Sequence, residues 1–112
     1  ARFGLMALAD GQWDGQAILL DGKYLKAATT SSQKMNPFYG YLWWLNRNSF
    51  DSEKAPPLRT APKDMFSAKG ALNRRCFVIP SLQLVVTRLG DQPQVNKAFD
   101  REFWKLLMEA TK

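Results

Sequence analysis

The sequence predicts an α+β fold, with short helices first, then an antiparallel sheet of about four strands, then a closing helix. Three observations carry it. Residues 65–89 hold three short runs of strand-like composition, separated by Gly70 and by Pro80-Ser81. In the third run Leu84 and Val86 face one way and Val85 the other. Apolar residues on both faces predict a central strand covered on both sides, which requires helices above and below. Finally, Phe99, Phe103, Leu106, Leu107 and Ala110 form one continuous helical stripe within a segment running from about Val95 to Thr111.

In chain order, Ala1 to Ala9 places Phe3, Leu5, Met6 and Leu8 at near-helical spacing, and Asp10-Gly11 stops that helix. Gly11 to Gly15 is a turn around Trp13, followed by a short apolar stretch, Ala17 to Leu20. Asp21 is positioned to cap a second helix, Gly22 to Ala28, by accepting a hydrogen bond from an early backbone N–H. Thr29 to Pro37 is polar and reads as a loop. Tyr39 to Leu45 is read as an aromatic strand, with one of Trp43 and Trp44 in the core and the other on the surface or in a cleft. Tyr24 is assigned to the core. Asn46 to Asp64, with Pro56, Pro57 and Pro62, reads as a surface excursion. Three strands follow: Met65 to Lys69, Arg75 to Ile79, and Leu82 to Leu89, the last two joined by a tight hairpin at Pro80-Ser81. Arg74-Arg75 is expected at a solvated turn tip, and Cys76 as a small buried apolar residue.

The 112 residues suit one domain, 1–112, with enough length for its own core. Apolar residues at 46% and charged ones at 23% are ordinary globular proportions. No apolar run is long enough to span a membrane. Histidine is absent and cysteine occurs once, which excludes a Ser-His-Asp or Cys-His triad within this chain, imidazole-built zinc sites and an internal disulfide. No cofactor or metal is expected. The net charge of +6 is spread from Arg2 to Lys112, with Arg74-Arg75 as its one adjacent pair. Nucleic acid is therefore not the expected partner, although a basic, aromatic-rich polyanion-binding domain stands as an alternative reading. The chain opens on Ala1, directly in a helical run, so the expectation is that a further segment precedes it.

The order of residues also resembles a known family. Ala1-Arg2-Phe3-Gly4-Leu5 followed by Gly11-Gln12-Trp13-Asp14-Gly15-Gln16 is similar to a segment of the serine β-lactamase and penicillin-binding-protein-like hydrolases, in the branch of class C β-lactamases and β-lactamase-like esterases. The likeness continues through Tyr39-Gly40-Tyr41-Leu42-Trp43-Trp44, Phe66-Ser67-Ala68-Lys69-Gly70-Ala71, and Phe77 to Arg88. It covers nearly the whole chain outside the 46–64 excursion.

The resemblance implies the C-terminal part of a larger serine hydrolase with ester, amide or β-lactam substrates. Its nucleophile, in a Ser-x-x-Lys motif, and its Tyr-x-Asn motif would lie on the remainder of that protein. The one Ser-x-x-Lys spelling here, Ser31 to Lys34, sits in a polar loop where the family carries no nucleophile and is read as chance. Ala68-Lys69-Gly70 stands where the family has Lys-Thr-Gly or His-Ser-Gly on the active-site wall strand, and is the implied substrate-binding segment. Ala71 would give its backbone N–H to the oxyanion hole. The motif's cation is replaced by Ala68, and Lys69 one step later points to the opposite face, which favours ester or peptide-like substrates over carboxylate-bearing β-lactams. Without its remainder the sheet would expose apolar surface, so the implied partners are that remainder or a second copy. The family suggests a periplasmic or secreted setting, and the sequence itself fixes no compartment. A non-catalytic binding or structural module of the same fold is the other alternative.

Overall fold

A computed structural model describes residues 1–47, 57–94 and 96–112. In it α1 (Arg2–Leu8) leads into a small hairpin of β1 (Gln12–Trp13) and β2 (Gln16–Ala17), then α2 (Tyr24–Ala28). The strands β3 (Trp44–Leu45), β4 (Phe66–Lys69), β5 (Arg75–Ile79) and β6 (Leu84–Arg88) form an antiparallel sheet in that order, and α3 (Asn96–Ala110) closes the chain. The expected α+β class, the four-stranded sheet and the terminal helix are all present. Among the described residues no helix is long and apolar enough to cross a membrane.

The end of α1 shows why Asp10-Gly11 stops a helix. The Gly11 N–H reaches the Met6 carbonyl at 2.9 Å and the Asp10 N–H the Ala7 carbonyl at 3.3 Å. This is a Schellman closure, with Asp10 in the left-handed region at φ 55°. Asp21 does accept from an early N–H, that of Lys23 at 2.9 Å, and α2 begins only at Tyr24.

Strand alternation divides the core in two. Phe66, Val78 and Val85 face α1 and α2, joining Ala7, Leu25, Ala28, Trp43 and Leu45. On the other face Phe77, Ile79, Leu84 and Val86 pack against Trp104, Phe103 and Leu107 of α3. Helix α1 sits close on β5 and β6 because Gly4 presents no side chain there. A Cβ at Gly4 would come within 2.5 Å of Val85 Cγ1 and 2.7 Å of Cys76 Sγ.

Several expectations change. The strand bearing Val85 is covered on both faces as predicted, but β6 is an edge strand and the central ones are β4 and β5. Its hairpin is longer than a two-residue turn: Pro80–Leu82 forms one helical turn, Gln83 is left-handed at φ 49°, and pairing starts at Ile79 and Leu84. Tyr39 to Leu45 is not one strand. It doubles back, with Tyr39 bridging Trp44 and the Gly40 N–H donating to the Trp43 carbonyl at 2.9 Å. The turn runs through Tyr41 and left-handed Leu42 (φ 64°) and is docked on α2 by the Tyr41 N–H donating to the Ala28 carbonyl at 2.9 Å; a Cβ on Gly40 would lie 2.0 Å from that oxygen. On α3 the most buried residue is Trp104, while Leu106, from the expected stripe, is 55% exposed. Tyr24 is exposed, not core.

The described ends of the 46–64 segment expose Arg47, Pro57, Arg59, Thr60 and Lys63, and are anchored to the fold through buried Asn46 and Ala61. Asn46 is 1% exposed, and its Nδ2 donates to the carbonyls of Leu58 (2.9 Å), Pro62 (3.0 Å) and Ala61 (3.2 Å). Its Oδ1 accepts from the Leu58 N–H at 2.9 Å. Residues 48–56 lie outside the described part.

Candidate functional site

The segment singled out by sequence lies at the end of β4 and in the turn that follows. Arg74 N–H donates to the Ala71 carbonyl at 3.1 Å, and Gly70 N–H to the Arg74 carbonyl at 2.9 Å. Between them Leu72 (φ 56°, ψ 29°) and Asn73 (φ 58°) are both left-handed, the signature of a type I′ turn. Leucine in that region costs about 1 kcal/mol, so the turn must be held from outside. Arg88 holds it, its Nη1 donating to the Asn73 carbonyl at 3.1 Å and the Leu72 carbonyl at 3.3 Å. Arg75 Nε donates to Asn73 Oδ1. Ala71 is exposed at the entrance to this pinned turn, and its N–H donates to no backbone acceptor among the described residues.

Gly70 is extended (φ −119°, ψ −179°), a conformation open to any residue. A Cβ there would meet nothing nearer than Arg74 Cβ at 3.9 Å. Nothing inside the fold requires glycine at this position, and the space it leaves opens outward.

Strand alternation separates the expected substrate-binding residues. Ala68 lines an apolar groove of about 260 Å³ on the α1 and α2 side, with Phe3, Tyr24, Tyr41, Leu42 and Trp43. Lys69 lines a different cleft of about 300 Å³ on the α3 side, with Trp44, Ser67, Arg75 and Asp100. Ala68, Lys69 and Gly70 therefore do not form one surface. Gly70, two residues beyond Ala68, returns to the apolar side.

The two sites differ sharply in charge. Around the apolar groove Phe3 is 56%, Tyr41 50% and Leu42 80% exposed, so large apolar side chains stand uncovered on this face. In the other cleft the register Lys69–Arg75–Arg88 sets three cations in a row across β4, β5 and β6. Arg88 is committed to the turn and lies over the Phe99 ring at 5.0 Å. Arg75 is committed to Asp100 at 3.3 Å, both side chains being largely buried. That ion pair overturns the expectation of a solvated Arg74-Arg75 tip: Arg74 is exposed, Arg75 is not.

Lys69 is left with no carboxylate within ion-pair distance among the described residues. Its Nζ lies over the Trp44 ring, 4.2 Å from the centroid. The residue as a whole is exposed, yet partial desolvation of its ammonium holds it below the usual lysine value; Arg75 pushes the same way and Asp100 opposes. Trp43 is buried and Trp44 stands at the cleft, the division expected for that pair.

Sequence reasoning missed Asp100, 25 positions from Arg75. No periodic signal marks it, because its partner comes from a strand. The basic row was also invisible, being a matter of strand register. Since Arg75 and Arg88 turn inward to internal acceptors, the row is not an open polyanion-binding face. Ser31 Oγ points to the Gln33 carbonyl at 3.5 Å and Lys34 is exposed, so nothing draws that pair into a site. No group of three or more potential metal-ligating His, Cys, Asp or Glu side chains occurs among the described residues. No protein-family model matches the chain, and no curated protein matches it significantly.

Proposed function

We propose that this chain is the C-terminal part of a β-lactamase-related serine hydrolase, supplying the wall strand and one oxyanion-hole N–H but not the nucleophile. The observation that carries the reading is the end of β4. Gly70 occupies a position where the fold itself has no need of glycine. Immediately after it, Ala71 presents an N–H without a backbone acceptor among the described residues, from a turn braced by Arg75 and Arg88. A fixed N–H of this kind stabilises a developing oxyanion without reorganising.

The groove lined by Ala68 is apolar and has no cation among its described lining residues, while exposed Arg74 stands beside Gly70 beyond its end. It suits a neutral ester or amide with an apolar acyl group better than a carboxylate-bearing β-lactam. Companion surface would come from the remainder of the hydrolase, bearing Ser-x-x-Lys and Tyr-x-Asn, seated over the uncovered Phe3, Tyr41 and Leu42; a second copy is the alternative occupant. Catalysis divides accordingly. The companion's serine attacks the acyl carbon, its lysine takes the proton, and the Ala71 N–H holds the carbonyl oxygen as charge builds on it.

The test is reconstitution. The chain alone should neither hydrolyse p-nitrophenyl esters nor react with a fluorophosphonate probe, while the pair should do both. Ala71→Pro removes the N–H, and the extended Gly70 already suits a residue before proline. Turnover should fall by about 10²–10³-fold with the companion still bound. An inactive pair, or a fully active Ala71→Pro pair, overturns the proposal.

A further inference from the structure

We infer that the cleft between β4 and α3 binds a small amphiphilic monoanion, a carboxylate with an aliphatic or aromatic body, its charge on Lys69 and its body along the wall that starts at Trp44. The inference goes beyond the hydrolase reading, because Lys69 faces away from Ala68 and Gly70.

Three observations bear on it. The first is the charge balance: among the described residues Lys69 and Arg75 face the cleft with one carboxylate, Asp100, which is already paired to Arg75 at 3.3 Å. One positive charge is left over at a partly desolvated spot, and a bound monoanion would neutralise it without displacing the internal ion pair. The second is shape. At about 300 Å³ the cleft is at the lower end of small-molecule pockets, too small for a polymer to enter. The third is the lining: beyond Trp44, which is 38% exposed, half-buried Phe38 and Leu58 add apolar surface beside the polar Asn36, Asn46 and Ser67. A bare inorganic ion would leave that apolar surface unused, and a neutral apolar molecule would leave the ammonium unpaired.

Depression of the Lys69 ammonium is consistent with this geometry, since a cation destabilised by burial and by Arg75 gains most from an incoming anion.

The test uses 4-phenylbutyrate as probe, 4-phenylbutanol as its neutral counterpart, and inorganic phosphate as the anion without a body. Binding is followed by titration calorimetry and by the NMR shift of the Lys69 ε-methylene. Wild type should bind phenylbutyrate saturably and raise the Lys69 pKa on doing so. The alcohol, and phenylbutyrate with Lys69→Met, should each bind at least tenfold more weakly. Lys69→Arg should stay within about threefold, and Leu42→Ser, on the opposite face, should change nothing. Equal binding of acid and alcohol, an undiminished Lys69→Met, or a loss with Leu42→Ser overturns the assignment. So does phosphate binding as tightly as phenylbutyrate, or no saturable binding at millimolar probe.

Discussion

Replacing Asn46 by alanine tests how the cleft wall is held. The side chain is 1% exposed and ties residues 58–62 to the end of β3 through three carbonyl acceptors and one N–H donor. Its amide carries two hydrogens for those three carbonyls, so the four contacts amount to about three full hydrogen bonds. At a net ~1 kcal/mol each, Asn46→Ala should cost about 3 kcal/mol, and burial of the orphaned groups prevents water from recovering much of it. For a domain near this size, 1 kcal/mol moves Tm by about 4–8 °C, so a far-UV circular dichroism melt should shift down by about 12–24 °C. Asn46→Asp sharpens the test. Its neutral carboxyl has one donor for the three carbonyls, and its carboxylate has none. Protonation is therefore favoured in the folded state, the folded pKa is raised, and stability is lost as pH rises through it. This variant should be less stable than Asn46→Ala at pH 7 and recover at pH 4. A melt for Asn46→Ala within about 3 °C of wild type would refute the reasoning, as would an Asn46→Asp melt that ignores pH.

Two more expectations rest on separate features. Leu72→Asn puts a residue that tolerates the left-handed region into the β4–β5 turn at an exposed position, and should raise stability by about 0.5–1 kcal/mol in urea unfolding; an unchanged midpoint refutes the strain argument. Lys69 is held below 10.5, chiefly by desolvation, so between its folded value and 10.5 the unfolded chain binds more protons and stability rises with pH. Below that window the charged lysine is a constant cost. Lys69→Met should therefore melt higher than wild type at pH 7, and the gap should narrow toward pH 10.5. Parallel melting curves across that range would refute it.

What local chemistry alone determines was legible in the sequence. Asp10-Gly11 ended α1 because two adjacent residues accept positive φ, and the period-two and helical patterns of residues 65–110 located three sheet strands and the last helix. The split between Trp43 and Trp44 likewise follows from neighbours facing opposite ways. Tertiary structure decided the rest, because those features depend on groups distant in sequence meeting. Tyr39 to Leu45 has strand composition, yet it reverses at Tyr41-Leu42, where the Tyr41 N–H donates to the Ala28 carbonyl of α2 and Gly40 alone leaves room for that carbonyl. Val85 reads as central from its apolar neighbours, yet β6 is an edge, since strand order is set by connections and not by composition. Asn46 reads as the start of a polar loop, and only its four hydrogen bonds make it an interior post. Near-helical spacing in residues 1–9 gave the helix but not its inward face: α1 meets the sheet at Gly4 and Ala7, and Phe3 and Leu5 stay outside. The cation row on β4, β5 and β6 belongs to register alone. Antiparallel pairing sets Lys69, Arg75 and Arg88 side by side, and α3 carries a single carboxylate to them.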